Sequence, residues 1–324
     1  MTARRWCPLA VCALLLVLLA ACTSSGRTVH PRAPTATSAA PGGPAAAPAA
    51  GRSQNSGGQG SGGPDGGTYV AIGDSFTAAP IYPRQGGAGA ACQRSAKDYP
   101  YLVAAARHPA SFANVSCYGA TTRDLSHAQH TGQRPNPPQR SALSAAVSVV
   151  TVQIGGDDIG FSGIATTCGA LSLTDVGGDP CRQHYTHGGT DQLAQAVTRA
   201  GPQVAAVLAA IRQRAPHARV LVVGYPDILP VRGRGCWPEL TIARGDLPYL
   251  RGMETELNAM LAAQAAGAHD TFVDTYTPSI GHDACQRGGV KWVEGLIPTS
   301  AAVPFHPNAR GEQAMAREIL AALR

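Results

Sequence analysis

The stretch TYVAIGDSFTAAP, residues 68–80, runs through apolar and β-branched side chains to Gly73 and then presents Asp74 and Ser75 ahead of a small-residue tail. An apolar run of this length bounded by glycine reads as a buried strand, and the residues after it as a turn into a helix. A serine there can lift its hydroxyl over the sheet edge, while backbone N–H groups at the helix start point into the same space and favour developing negative charge. Ser75 could equally do no more than cap a helix.

Four further stretches have the same character: SFANVSCYG (111–119), VSVVTVQIGG (147–156), ARVLVVGYPD (218–227) and DTFVDTYT (270–277). Between them lie helical patterns at 99–108, 191–215 and 247–267. Continuous apolar strands alternating with helices predict an α/β fold, a three-layer α/β/α sandwich around a parallel sheet of about five strands. Ligands of such sheets bind where strands end. Ser75, Gly119, Gly155 to Asp158 and Tyr225 all follow strand ends.

The rest of the chain frames this domain. Arg4 and Arg5 precede LAVCALLLVLLAA (9–21), an apolar stretch too short and too early for a membrane span, and together they read as an export leader. Its end, Leu19-Ala20-Ala21-Cys22, resembles a bacterial lipobox, which implies lipidation of Cys22 and an extracytoplasmic, membrane-anchored protein, with secretion as the alternative. Residues 23–67 are rich in Pro, Ala, Gly and Ser and cannot bury enough surface to form a core, so they read as a disordered tether. One domain, 68–324, remains.

Nine cysteines are present, of which Cys7, Cys12 and Cys22 fall in the leader. Cys92, Cys117, Cys168, Cys181, Cys236 and Cys285 have no CxxC spacing, and in an oxidising compartment they suggest three disulfides rather than a metal site. Of 26 Lys and Arg, two are in the leader, leaving 24 against 20 acidic residues without a basic run; nucleic-acid binding is not indicated. His127 and His130 form an HxxH without a third ligand at recognisable spacing, so neither metal nor cofactor is expected.

GDSFT (73–77), CYGATT (117–122), GGDD (155–158) and FHPN (305–308) follow one another in an order and spacing that resemble the four sequence blocks of the GDSL/SGNH hydrolase family, in particular its secreted three-disulfide bacterial esterases and lipases. The resemblance spans the whole of 68–324. It implies a flavodoxin-like sandwich, Ser75 as nucleophile, His306 as general base, and backbone N–H groups of Ser75 and Gly119 as oxyanion donors. It also implies disulfides in chain order: Cys92 with Cys117, Cys168 with Cys181, and Cys236 with Cys285. The chemistry needs these residue types, because a serine hydroxyl is a weak nucleophile until a base of suitable pKa takes its proton. His282, beside Cys285, is the rival base. No G-x-S-x-G occurs, which counts against an α/β-hydrolase elbow.

Two positions depart from the family's pattern. Asp157 stands where the third block normally carries the asparagine that donates to the oxyanion. Val303 stands three residues before His306, where the family often has aspartate, so the resemblance implies orientation of His306 by the carbonyl of Val303 or Pro304; Asp283 and Glu294 are the substitutes to test. D-x-x-H at Asp124 to His127 lies in the wrong part of the chain, and Asp74 and Asp158 are expected to hold loops by local hydrogen bonds. The expected activity is carboxylic ester hydrolysis by a monomer acting on a small ester or lipid, through a Ser75 acyl-enzyme. The alternative is a catalytically silent cell-envelope binding protein of the same fold.

Overall fold

The computed structural model describes residues 66–80, 88–132, 135–233 and 235–324. The leader, Cys22 and the tether up to residue 65 lie outside them.

Five parallel strands form the central sheet: β1 (Thr68–Gly73), β2 (Ser111–Asn114), β3 (Val147–Gln153), β4 (Arg219–Val223) and β5 (Thr271–Val273), in the spatial order β2-β1-β3-β4-β5. That order is the flavodoxin-like one, whose direction reverses between β1 and β3 and opens a crevice at their carboxyl ends. Successive strand residues face opposite sides. Val70, Ile72, Val150, Val152, Val220 and Val222 therefore share one core with helices α4 (Gln192–Arg214) and α5 (Leu247–Gly267). Tyr69, Ala71, Leu221, Val223 and Val273 share the other with α2 (Tyr99–Arg107) and α6 (Ala309–Ala322). With both faces covered, most residues of the three central strands β1, β3 and β4 are buried, at about 1.5–3 kcal/mol for each large aliphatic side chain, while the edge strands β2 and β5 are only partly covered. This is why the strands read as unbroken apolar runs.

Two elements complete the frame, the single turn α1 (Ser75–Ala78) after β1 and α3 (Phe161–Ser172) after β3. The helices begin on the residues that polar capping favours: Asp98 accepts from Tyr101 N–H, Asp191 from Leu193 and Ala194 N–H, and Asn308 from Arg310 and Gly311 N–H. Outside the sheet, Gln129–His130 pairs with Pro135–Asn136 in a two-residue ladder. The cysteines are joined Cys92–Cys117, Cys168–Cys181 and Cys236–Cys285. The first bond fastens the segment before α2 to the loop after β2, where Tyr118 N–H also donates to the Cys92 carbonyl.

Candidate active site

Ser75 is the first residue of α1, immediately past the carboxyl end of β1 and beside the point where strand order reverses. Two devices fix its approach. A Cβ on Gly73 would stand 2.2 Å from Thr77 Oγ1 and 2.6 Å from the Gln153 carbonyl oxygen, so only glycine lets the chain turn there. The buried Gln139 amide then clasps Gly73 on both sides, accepting from its N–H and donating to its carbonyl, each at 2.9 Å. Asp74 caps the turn by accepting from Phe76 N–H at 2.9 Å, which leaves the Ser75 hydroxyl at the sheet edge.

His306 arrives from the other end of the chain. Its Nε2 lies 2.7 Å from Ser75 Oγ, and its Nδ1 lies 2.8 Å from the Pro304 carbonyl. A carbonyl can only accept, so Nδ1 carries the proton and Nε2 presents its lone pair to the serine hydroxyl. Of the two carbonyls expected to orient the ring, Val303 is thereby corrected: its oxygen accepts the backbone N–H of His306 at 3.3 Å and closes the turn, while positive φ at Phe305 brings Pro304 O under the ring. Phe76, Tyr118 and Phe161 surround the imidazole, with centroids 4.8, 5.8 and 6.4 Å away. Burial in this box pushes the His306 pKa down to about 4 against the hydrogen bond that Nδ1–H donates to the Pro304 carbonyl, which works the other way. The ring is neutral, and available as a base, through the weakly acid and neutral range.

Neither carboxylate proposed as a substitute reaches it. Asp283 accepts from Cys285 N–H and Gln286 Nε2. Glu294 accepts from Thr299 N–H and Asn308 Nδ2 and faces Lys291 at 3.6 Å. Glu294 nevertheless supports the base indirectly, since its backbone exchanges hydrogen bonds with Phe305 and His306, and Asn308 ties that turn to the start of α6. Farther along α6, Glu312 accepts from Tyr99 N–H and fastens the helix to α2. The rival His282 bonds the Val290 carbonyl and stacks on Trp292 at 3.9 Å, without contact to Ser75. Asp124 caps Thr121 and His127 contacts the Arg123 carbonyl, so the D-x-x-H is two unrelated local bonds.

Opposite the base, three loops meet. Cys117 N–H donates to the Gly73 carbonyl, holding the Gly119 turn against the end of β1. Asp158 accepts from the N–H and hydroxyl of Thr122, which joins the second and third sequence blocks over a long chain distance, in addition to a local bond with its own backbone. Asp74 likewise reaches beyond its own turn: its carboxyl takes the Tyr225 hydroxyl, whose oxygen accepts Gly156 N–H at 2.9 Å. A Cβ on Gly156 would stand 3.1 Å from Tyr225, so glycine admits this bridge. Burial, reinforced by the charge of Asp157, raises the Asp74 pKa well above the usual carboxylate range. Asp157 faces the same pocket as Ser75, and burial followed by the charges of Asp158 and Asp124 pushes its pKa up to about 6.

The sequence pattern held no sign of the Gln139 clasp, the Tyr225 bridge or the cavities that flank the pair. On the His306 side a groove of about 490 Å³ is lined by Tyr118, Phe161, Leu173, Leu296 and Phe305. On the Ser75 side a slot of about 20 Å³ runs between Asp157, Tyr225, Met253, Glu254 and Leu257. Only 5% of the chain is aromatic, yet Phe76, Phe161 and Phe305, three of its five phenylalanines, converge here. Among the described residues no three His, Cys, Asp or Glu side chains gather as a metal site, and no helix is long and apolar enough to cross a membrane.

Known proteins resemble this chain in sequence and in fold. Lipase 2 of Streptomyces coelicolor is 36% identical over 259 residues, 78% of this chain and 84% of the relative, and Lipase 1 of the same organism is 30% identical over 75% of this chain and 82% of its own. Among solved structures, phospholipase A1 from Streptomyces albidoflavus superposes with a TM-score of 0.65 at 28% identity, over 79% of this chain and 99% of that one. The extracellular lipase of Streptomyces rimosus superposes with a TM-score of 0.64 at 26% identity, over 80% of this chain and all of that one (100%). The profile of the GDSL-like Lipase/Acylhydrolase family matches residues 71–314, most of the domain. The chain therefore belongs to the GDSL-like lipase/acylhydrolase family and is a carboxylic ester hydrolase.

Proposed function

We propose that this protein cleaves acyl esters through a covalent Ser75 intermediate with His306 as the sole side-chain base. The observation that carries the reading is the 2.7 Å contact between His306 Nε2 and Ser75 Oγ, with Nδ1 held by the Pro304 carbonyl. Ser75 Oγ attacks the ester carbonyl carbon as its proton passes to Nε2. The carbonyl oxygen becomes an oxyanion facing the N–H groups of Ser75 and Gly119 and the side chain of Asp157. His306 returns the proton to the departing alkoxide, the C–O bond breaks and an alcohol leaves. Water then repeats the sequence on the acyl-enzyme and releases the acid. A neutral carbonyl in place of the usual aspartate fixes the tautomer and stabilises imidazolium less.

Saturable hydrolysis of a short p-nitrophenyl ester, together with fluorophosphonate attachment to the Ser75 peptide, is the expected result. Its absence in the folded protein would favour the silent binding protein.

We further propose an exported protein held by a lipid on Cys22, with residues 23–67 as tether. The leader, the lipobox and three disulfides of the kind kept in oxidising compartments support this reading. Expression in an actinobacterial host should give membrane-associated protein with an acylated Cys22, and Cys22→Ser should release or block it; wild type found wholly in the medium, cut elsewhere, refutes the anchor.

A further inference from the structure

The two cavities beside the catalytic pair differ about as much as two cavities can: one admits a large apolar group, the other little more than a methyl. Acyl transfer fixes which is which. The oxyanion points toward Gly119 and Asp157. The departing oxygen must come within hydrogen-bond reach of His306 Nε2, which returns its proton. The acyl substituent is left with the remaining direction, away from the ring. His306 and the turn from Val303 to Phe305 line the groove of about 490 Å³ and take no part in the slot of about 20 Å³, which Ser75 and Phe76 line and which continues past Asp157 to Met253 and Leu257. The groove therefore receives the alcohol and the slot the acyl chain. A cavity of about 10–15 Å³ on this measure holds one water-sized group, so the slot takes an acetyl methyl and little beyond it.

The slot's far wall reinforces this limit. Glu254 Oε2 is already buried there without a hydrogen-bond partner, and alkyl carbons laid against it would offer it none. Beyond Met253 and Ile228 lies a second, apolar crevice of about 40 Å³, lined by Leu229, Leu240 and Ile242; both residues border both spaces. Across the pair, the groove opens between Leu173 and Leu296, which are 68% and 41% exposed, a rim suited to an apolar alcohol.

We propose that the enzyme selects esters of short acyl groups, acetyl above all, on large apolar alcohols, and that Met253 with Ile228 closes the acyl slot. The inference rests on Ser75 and His306 acting as set out above. Two ester series on the full-length protein test it: p-nitrophenyl esters from acetate to decanoate, and acetates of alcohols from ethanol to decanol.

The expected kcat/KM falls about 100-fold or more from acetate to octanoate and rises about 10-fold or more from ethyl to octyl acetate, within the usual worth of a few methylenes in a pocket. Met253→Ala joins slot and crevice and raises the octanoate-to-acetate ratio about 10-fold or more. Ile228→Ala opens the same wall and serves if the first variant does not fold. Wild-type turnover of octanoate or decanoate equal to that of acetate, with Ser75 labelled by a fluorophosphonate, overturns the proposal while leaving the hydrolase reading intact. No turnover in either series, with Ser75 unlabelled, overturns both.

Discussion

Ser75→Ala lowers ester turnover by about 10⁵- to 10⁶-fold and abolishes fluorophosphonate labelling, the loss expected when a member of a serine–histidine unit is removed. His306→Ala does nearly the same, because among the described residues His306 is the side-chain base in contact with the Ser75 hydroxyl, while Asp283, Glu294 and His282 are all bonded elsewhere. The double variant should be scarcely worse than either single one, since the two side chains act on one proton. KM for a short ester should change little in Ser75→Ala, which removes only a hydroxyl from the slot's lining, whereas His306→Ala also takes a ring out of the groove's wall. Kinetics and labelling on the purified variants check this set. Labelling at another residue with activity retained would refute the assignment, and fully additive losses would show that the two groups act in separate steps.

Asp157→Asn should change the pH profile as much as the rate. With His306 titrating at about 4 and Asp157 at about 6, the free enzyme has a window between those values in which the base is neutral and the Asp157 carboxyl keeps its proton. Below about 4 the imidazole is charged and cannot accept from Ser75. Above about 6 Asp157 loses its proton, ceases to be a donor and places negative charge beside the developing oxyanion. kcat/KM should therefore rise through about 4 and fall through about 6, the reverse of the flat alkaline limb of a site with asparagine. Asn restores a donor at every pH, so the variant should gain about 10-fold or more at pH ~8 and lose the alkaline decline, within the 100- to 1,000-fold that one such donor is typically worth. An unchanged profile would mean that Ser75 and Gly119 N–H suffice alone. A variant slower than wild type throughout would sink the repulsion argument and assign the carboxyl a positive role.

Much of the scaffold was legible because burial on both faces leaves a local trace. The five strands coincide with the apolar runs, and the helices at Tyr99–Arg107, Gln192–Arg214 and Leu247–Gly267 with the periodic segments between them. The Ser75 and His306 positions were legible through four short blocks whose glycines and small residues answer to steric demands at Gly73 and Gly156. What could not be read was pairing across the sheet edge. Gln139 looks like any polar loop residue, yet it clasps Gly73; Tyr225 follows a strand, yet it bridges Asp74 to Gly156. Such bonds carry no periodicity. The groove was equally silent, since its walls come from separate segments around 118, 161–173, 241, 296 and 303–306 that only the fold brings together.

The turn that carries His306 is fastened through Asn308 to α6, and α6 through Glu312 to α2. Nucleophile and base are 231 residues apart, near the two ends of the domain. A ribosome adding about 5–20 residues per second makes Ser75 roughly 10 to 50 s before it makes His306. Until the last helix has docked, the growing chain holds a serine with no partner to activate it. Ester cleavage thus begins only once the segment carrying His306 has been made and has folded against Ser75.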